Sequence, residues 1–381
     1  MKRVFFDNAS TTPIDPEVME VMIECMQQHY GNPSSIHKEG RTARTVVEQA
    51  RRTVAQRLNA SIGEIFFTSG GTESSNMALK GAVRDLGVRR IISSPLEHHC
   101  VLHSLDRLTE VKDLEVVKLP LTAKGLPDMQ ELEKLLAAGG PKTMVSLMHA
   151  NNELGLMIDI HEVALLCQTH GALFHSDTVQ TMGYFPFDLS KTPISFLTAA
   201  AHKFYGPKGV GFIYINADNA ISPLMDGGSQ ERNMRAGTEN IHGIVGLAKA
   251  LDMAYDELEA RKAKTKAVRD YFLQQLLAVM PEVEINGDPE NGHFKVLSLS
   301  FPPSPKADLL LLNLDIAGIS VSGGSACSSG AETVSHVLAT LMPDSLRKTI
   351  RFSFSHHNTK EEADFVVQKL QEILEPVASR S

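Results

Sequence analysis

Short β-rich runs alternate with helical patterns across residues 16–250, and this alternation constrains the fold more than any other feature of the chain. EIFFTS, RRIISS, TMVSLMHA, ALFHSD and VGFIYI are apolar runs separated by longer stretches with helical spacing. Such a succession buries a sheet between layers of helices, so an α/β domain with a mainly parallel sheet is expected over residues 15–250. In DIHEVALLCQTH (159–170) an acid opens the pattern and Val163, Leu165, Leu166 and Cys167 supply its apolar positions. Gly171 stops it before ALFHSD, which completes a β-α-β unit.

From Gly243 to about Met280 the pattern reads as continuously helical, with Ile244, Leu247, Ala248 and Leu251 on one face and the charged stretch DELEARKAKTKAVRD in its middle. A helix of that length is expected to bridge two domains. Strands are expected at VLSLSF and IRFSFS, then a helix opened by Thr359 with Glu362 three positions on, a capping-box pattern. Its buried stripe is Val366, Leu370, Ile373 and Leu374. Residues 1–14 and 251–381 are therefore expected to form a smaller α+β domain. The length of 381 residues, beyond one ordinary compact core, agrees with two units.

A net charge of -8 and a pI near 6.0 give no basic field for a phosphate backbone, so a small-molecule partner is favoured and a nucleic acid is not expected. No apolar stretch is long enough to cross a bilayer, and MKRVFFDNASTTP lacks the pattern of a signal peptide. Cys25, Cys100, Cys167 and Cys327 are widely spaced with no CxxC pair, which argues against a zinc site or a disulfide framework and fits a reducing cytoplasm. Cys25 and Cys167 lie among apolar residues and read as inert core thiols.

Four segments carry residues suited to chemistry. FFTSGGTESSNMALKG reads as strand, glycine turn and helix, placing the amides around Gly70, Gly71 and Thr72 at a helix N-terminus, where an anion can bind. It lacks the glycine spacings of dinucleotide and nucleoside-triphosphate sites. Asp177 follows the apolar strand ALFH, at the carboxyl end where open α/β sheets place ligands. Lys203 sits between a small-residue run and a glycine-rich turn in AAAHKFYGPKG, and lysine is the side chain that forms Schiff bases. Cys327 stands in SGGSACSSG among small residues, unlike a buried structural thiol. Taken singly, each has an ordinary reading: a plain turn, a helix-capping acid, a solvated lysine, an incidental loop cysteine. Together, an amine, a carboxylate and an anion site are what an aldehyde cofactor acting as an electron sink requires.

Taken in order, DNASTTP, GNPSSIH, TSGGTES, EHH, NNELG, DTVQ, HKFYGPKG, RAGTEN, GGSACSSG and IRFS resemble the NifS/IscS-type cysteine desulfurases, from residue 6 to about 375. The resemblance implies the aspartate aminotransferase-like fold of pyridoxal 5'-phosphate (PLP) enzymes and a homodimer with active sites at the subunit interface. It implies that Lys203 holds PLP and shuttles protons, Asp177 binds the pyridinium nitrogen and His98 stacks on the ring. Asn152 and Gln180 would approach the phenolic oxygen, Gly71, Thr72 and His202 would hold the phosphate, and Thr238 would reach the other subunit's phosphate. Arg351, with Asn32, would take the carboxylate of L-cysteine, and the Cys327 thiolate would receive its sulfur, with His98 moving protons between the thiols. Gly323, Gly324 and Gly330 would let that loop deliver the sulfur to an acceptor protein, for iron-sulfur cluster or thio-cofactor synthesis.

The chain departs from the family pattern twice. Ala200 stands where the family commonly has a serine, one phosphate donor fewer, worth roughly 1 kcal/mol. The sequence stops at EPVASRS, without the longer tail that housekeeping bacterial members use to engage an iron-sulfur scaffold. Other readings on the same fold are a selenocysteine lyase, another PLP-dependent lyase or an aminotransferase, the last of which would not need the Cys327 thiol. A non-catalytic sulfur carrier is a further alternative.

Overall fold

The structure is a computed structural model and describes residues 3–323 and 335–374. The strands are β1 (Val4–Phe5), β2 (Ile65–Thr68), β3 (Arg90–Ser93), β4 (Glu115–Lys118), β5 (Thr143–Ser146) and β6 (Leu173–Asp177). They continue with β7 (Phe196–Ala200), β8 (Gly211–Ile215), β9 (Glu284–Asn286), β10 (Val296–Phe301), β11 (Ile319–Ser320) and β12 (Lys348–Ser353). The chain divides into two compact units. The larger comprises Thr12–Ala150 and Ile158–Leu258, the smaller Met1–Thr11, Asn151–Met157 and Glu259–Ser381.

In the larger unit seven strands form one sheet in the order β2-β8-β7-β6-β5-β3-β4. The pairs from β7 through β4 are parallel, and β8 runs antiparallel to both β7 and β2. β2 therefore points the same way as β7, and six of the seven strands end at one edge. β2, β3, β5, β7 and β8 are buried along their whole length, as strands covered on both faces must be. This is the α/β architecture that the alternating pattern implies. The helices α1 (Pro16–Gln28), α2 (Lys38–Arg57), α3 (Gly71–Asp85), α4 (His99–Leu108), α5 (Met129–Ala137) and α6 (Ile160–Thr169) precede or link these strands. Asp159 caps α6 by accepting from the amides of His161 and Glu162, and Gly171 turns the chain at φ 65°.

The smaller unit carries the antiparallel sheet β12-β10-β9 and the parallel pair β1-β11. Phe6, Phe272, Phe352 and Phe354 pack as an aromatic cluster at its centre, with ring centroids 4.8–5.9 Å apart. The terminal helix Lys360–Leu374 opens with a reciprocal capping box between Thr359 and Glu362 and buries Val366 and Leu370.

The helix expected to run unbroken from Gly243 to Met280 is two helices, Ile241–Asp256 and Leu258–Val279, interrupted at Glu257 (φ -105°, ψ 12°). Ile244, Leu247 and Leu251 of the first are buried in the larger unit, whereas Val268, Phe272 and Leu276 of the second belong to the smaller unit's core. Glu257 closes the first helix with its amide donating to the Met253 carbonyl, and the second helix begins at the next residue.

Candidate active site

In the larger unit the candidate residues lie where the parallel strands end. β2 leads through Ser69 and Gly70 into α3. Gly70 has φ 152° and ψ -176°, a conformation open in practice to glycine alone, and α3 has no side-chain cap. The opening amides of a helix have no intrahelical acceptor, so this turn presents unsatisfied N–H groups to an anion. A Cβ on Gly71 would lie 2.6 Å from Val179 Cγ2 and 4.0 Å from Ala200 Cβ, so the turn fits closely against the loop after β6 and lies beside the end of β7. Glu73 secures it, accepting from the Ser69 amide at 2.8 Å and from the Arg235 guanidinium at 2.9 and 3.3 Å.

Asp177 closes β6, and its Oδ1 accepts from the Val179 amide at 2.9 Å. Burial raises its pKa to about 6, partly opposed by that hydrogen bond and by the charge of Lys203. Lys203 ends a short 3-10 turn directly after β7, so amine and carboxylate interact electrostatically. The lysine's backbone is fixed from two sides. Tyr184 OH donates to the Lys203 carbonyl at 2.8 Å, while Thr12 donates to the His202 carbonyl through its amide (2.8 Å) and hydroxyl (3.0 Å). Thr12 Oγ1 also accepts from the amide of Tyr205, a non-glycine residue held at φ 68°.

His98 is the N-cap of α4, its Nδ1 accepting from the Cys100 amide at 3.1 Å, which leaves Nε2 as the proton-bearing nitrogen of the neutral ring. The adjoining Glu97 is buried and accepts from the Met148 amide at 2.7 Å. Burial, with the Asp177 charge adding to it, holds its carboxyl well above the usual carboxylate range. Cys100, mostly buried beside Asp177 and Glu97, has its thiol pushed up as well, so it is not a thiolate. His202 and Gln180 sit on the turns after β7 and β6, Gln180 buried and His202 half-buried.

Thr72, Asn32 and Thr238 are exposed. Asn32 Oδ1 accepts from the Ser34 amide in a loop packed so closely on the start of α2 that neither Gly31 nor Gly40, within α2, has room for a side chain. Thr238 lines a pocket with Ser69, Glu231 and Arg235, so its segment is tied to the α3 turn by the Arg235–Glu73 pair.

The smaller unit holds the other candidates. Arg351 on β12 has a side-chain exposure of 1%. Its Nη1 donates to the Asn152 carbonyl (2.7 Å), and its Nη2 donates to Asp7 Oδ1 (2.8 Å) and Ser10 Oγ (2.6 Å). Its backbone pairs with Ser322. Cys327, Gly324 and Gly330, and the C-terminal residues EPVASRS, lie outside the described residues.

The charge of Lys203 thus acts on Asp177, and Arg351 hydrogen-bonds the Asn152 carbonyl. Residue-by-residue reading had not singled out Asp7, Ser10, Thr12, Tyr184, Glu73 or Arg235. The first three lie in DNASTTP, where a polar run directly after the apolar VFF was the available signal. Tyr184 and Arg235 act through contacts 19 and 162 positions away in the sequence, and Glu73 links Arg235 to the Ser69 amide four positions before it.

Lys203 and the buried Asp177, whose charges interact, lie at the strand ends beside an uncapped helix, and the mostly parallel α/β fold is of the aspartate aminotransferase-like class. A model of the class-V aminotransferase family matches residues 4–366, and the chain belongs to that family. It is 40% identical to "Cysteine desulfurase IscS" of Dictyoglomus turgidum over all of this chain and 97% of that protein. A solved NifS-like protein, 37% identical, superposes with a TM-score of 0.90 over 98% of this chain and 99% of its own. A second solved structure, SspA in complex with cysteine, is 29% identical with a TM-score of 0.78, covering 94% of this chain and all of its own. Within the family, the chain is of the NifS/IscS cysteine-desulfurase type.

Proposed function

We propose that this protein is a PLP-dependent cysteine desulfurase that converts L-cysteine to L-alanine and retains the sulfur as a persulfide on Cys327. The observation carrying this reading is the coupling of Lys203 to buried Asp177 beside the uncapped α3 turn. That donor set fits PLP: an amine for its aldehyde, an acid for its ring nitrogen and amides for its phosphate. PLP, when bound, supplies an electron sink that weakens bonds around the substrate's α-carbon.

The residues divide the remaining work. Lys203 would hold the cofactor through its amine and would accept and return the substrate's α-proton, from a backbone fixed by Thr12 and Tyr184. Asp177, ionised above pH of about 6, would keep a proton on the ring nitrogen. The amides of Gly71 and Thr72 and the side chain of His202 would hold the phosphate, and Thr238 would serve that of the other subunit. Asn152 and Gln180 would bind the phenolic oxygen. His98 would support the ring and move protons through Nε2. Arg351 and Asn32 would take the substrate carboxylate.

The Cys327 thiolate then attacks the cysteine sulfur, forming an S–S bond as the carbon–sulfur bond breaks, and the remaining three carbons leave as alanine. A thiol acceptor, or a sulfur-acceptor protein, removes the outer sulfur. A homodimer is favoured by the exposure of Thr238 and by an unpartnered stripe on α1 and beyond it: Met19, Ile23, Met26 and Tyr30. A cytoplasmic site of action suits a persulfide. Cys25, Cys100 and Cys167 are free thiols, and among the described residues no helix is long and apolar enough to cross a membrane.

The test is a pair of variants of the PLP-loaded protein. Lys203→Ala is expected to lose the visible absorbance of lysine-bound cofactor. Cys327→Ser is expected to keep it while losing cysteine-dependent sulfide release. Sulfide release at full rate from Cys327→Ser would remove that thiol from the mechanism.

A further inference from the structure

The hydrogen bonds around Arg351 leave no open fork for a carboxylate. A guanidinium offers two two-donor edges, one from Nε and Nη2 and one from Nη1 and Nη2, so each edge needs an Nη2 hydrogen. Both Nη2 hydrogens are engaged, by Asp7 Oδ1 at 2.8 Å and Ser10 Oγ at 2.6 Å. Nε, by contrast, is buried with no partner among the described residues. Arg351 is thus half-prepared: one edge has its Nε donor waiting and its Nη2 donor occupied.

Asp7 is held so that it can release the arginine without losing its own solvation. Its Oδ1 also accepts from Ser10 Oγ and Ser322 Oγ, each at 2.8 Å. Its backbone is fixed on both sides. Phe6 lies in the aromatic cluster with its carbonyl accepting from the Ser353 amide at 2.7 Å, and Asn8 Nδ2 donates to the Ser353 carbonyl at 2.9 Å. A swing of the carboxylate away from Nη2 would therefore leave two hydroxyl donors with it.

We propose that Asp7 is an internal competitor for the substrate carboxylate, occupying Arg351 in the free enzyme and yielding Nη2 when an amino acid binds through both oxygens. This rests on the reading that Arg351 takes the substrate carboxylate. Asp7 neutralises and orients a buried guanidinium that would otherwise be an unpaired charge, and the same contact weakens substrate binding.

The experiment uses the PLP-loaded protein and follows the visible cofactor spectrum during titration with L-alanine or ethylamine, amines with and without the carboxylate. Asp7→Asn keeps an oxygen acceptor for Ser10 and Ser322 and removes the charge; Asp7→Ser is the second variant. Both are expected to bind L-alanine about tenfold more tightly, equivalent to about 1.4 kcal/mol, with ethylamine unchanged. Unchanged or weaker L-alanine binding in both variants would overturn the proposal, showing that Asp7 only supports Arg351. Loss of folding in both, read by thermal denaturation, would assign Asp7 a structural role and overturn it equally. Arg351→Lys separates the two layers. If it leaves the preference for L-alanine over ethylamine intact, Arg351 is not the carboxylate site, whereas a lost preference with unaltered Asp7 variants rejects only the competitor role.

Discussion

Gly71→Ala is the sharpest probe of the phosphate turn, because one atom decides its outcome. The added Cβ would lie 2.6 Å from Val179 Cγ2, while the next nearest atoms, Val179 Cβ and Ala200 Cβ, stand at 3.9 and 4.0 Å, ordinary contact distances. Relieving the overlap requires the turn or the loop after Asp177 to shift, and overpacking of this kind costs about 1–3 kcal/mol. A strain placed between the α3 amides and the Asp177 loop should appear in PLP affinity as roughly a 5- to 150-fold loss. Val179→Ala removes Cγ2 and is expected to be mild by itself. In the double variant the obstruction is gone, and alanine inside a helix is favoured over glycine by up to about 1 kcal/mol. Affinity should therefore return to within a few-fold of the parent. The assay is a double-mutant cycle of PLP dissociation constants from absorbance titration, with thermal denaturation in parallel. Additive losses, or a harmless Gly71→Ala, would refute the close approach of Val179 as the reason for glycine.

Other consequences follow from the same geometry. Because burial lifts Asp177 to about pKa 6, above its ordinary value, its protonation stabilises the cofactor-free fold at acid pH, an advantage lost as pH rises through about 6. PLP binding needs the ionised form and should weaken below pH of about 6, and Asp177→Asn should weaken loading while flattening that profile. Glu231, 5% exposed, pairs with Arg51, 1% exposed, through two hydrogen bonds of 2.7 and 2.8 Å and also accepts from the Phe67 amide. Glu231→Gln should cost about 1–3 kcal/mol in denaturant unfolding, since Arg51 stays buried with the half-buried Glu48, 3.0 Å from its Nε, as its remaining counter-ion; no measurable loss, as for an exposed pair, would contradict it. Ala200→Ser, which adds a hydroxyl beside Gly71, should tighten PLP binding by about fivefold, or about 1 kcal/mol. Unchanged affinity would show the hydroxyl turned elsewhere.

The large unit was legible because its signals are local. Buried parallel strands read as short apolar runs, and Asp159 with Gly171 marked both ends of α6. β7 was harder, since FLTAA merges into the small residues before Lys203 and only its neighbours β6 and β8 make it a strand. The interruption at Glu257 was illegible for the opposite reason. Both flanking segments are good helix formers, and no glycine or proline marks the break. Lys203 and Asp177 stood out as chemistry at strand ends. The contacts that fix them did not, because Thr12 acts on residues about 190 positions away in the sequence. Arg351 was found through its motif, but its engagement by Asp7 depends on β12 and the N-terminal segment lying side by side.

The central claim is that sulfur leaves L-cysteine with alanine as the carbon product. It is tested most directly by supplying the PLP-loaded protein with L-cysteine and a thiol reductant and measuring alanine and sulfide in the same samples. The account predicts alanine and sulfide in equal amounts throughout the time course. Pyruvate and ammonia in place of alanine would contradict it, as would alanine formed without sulfide.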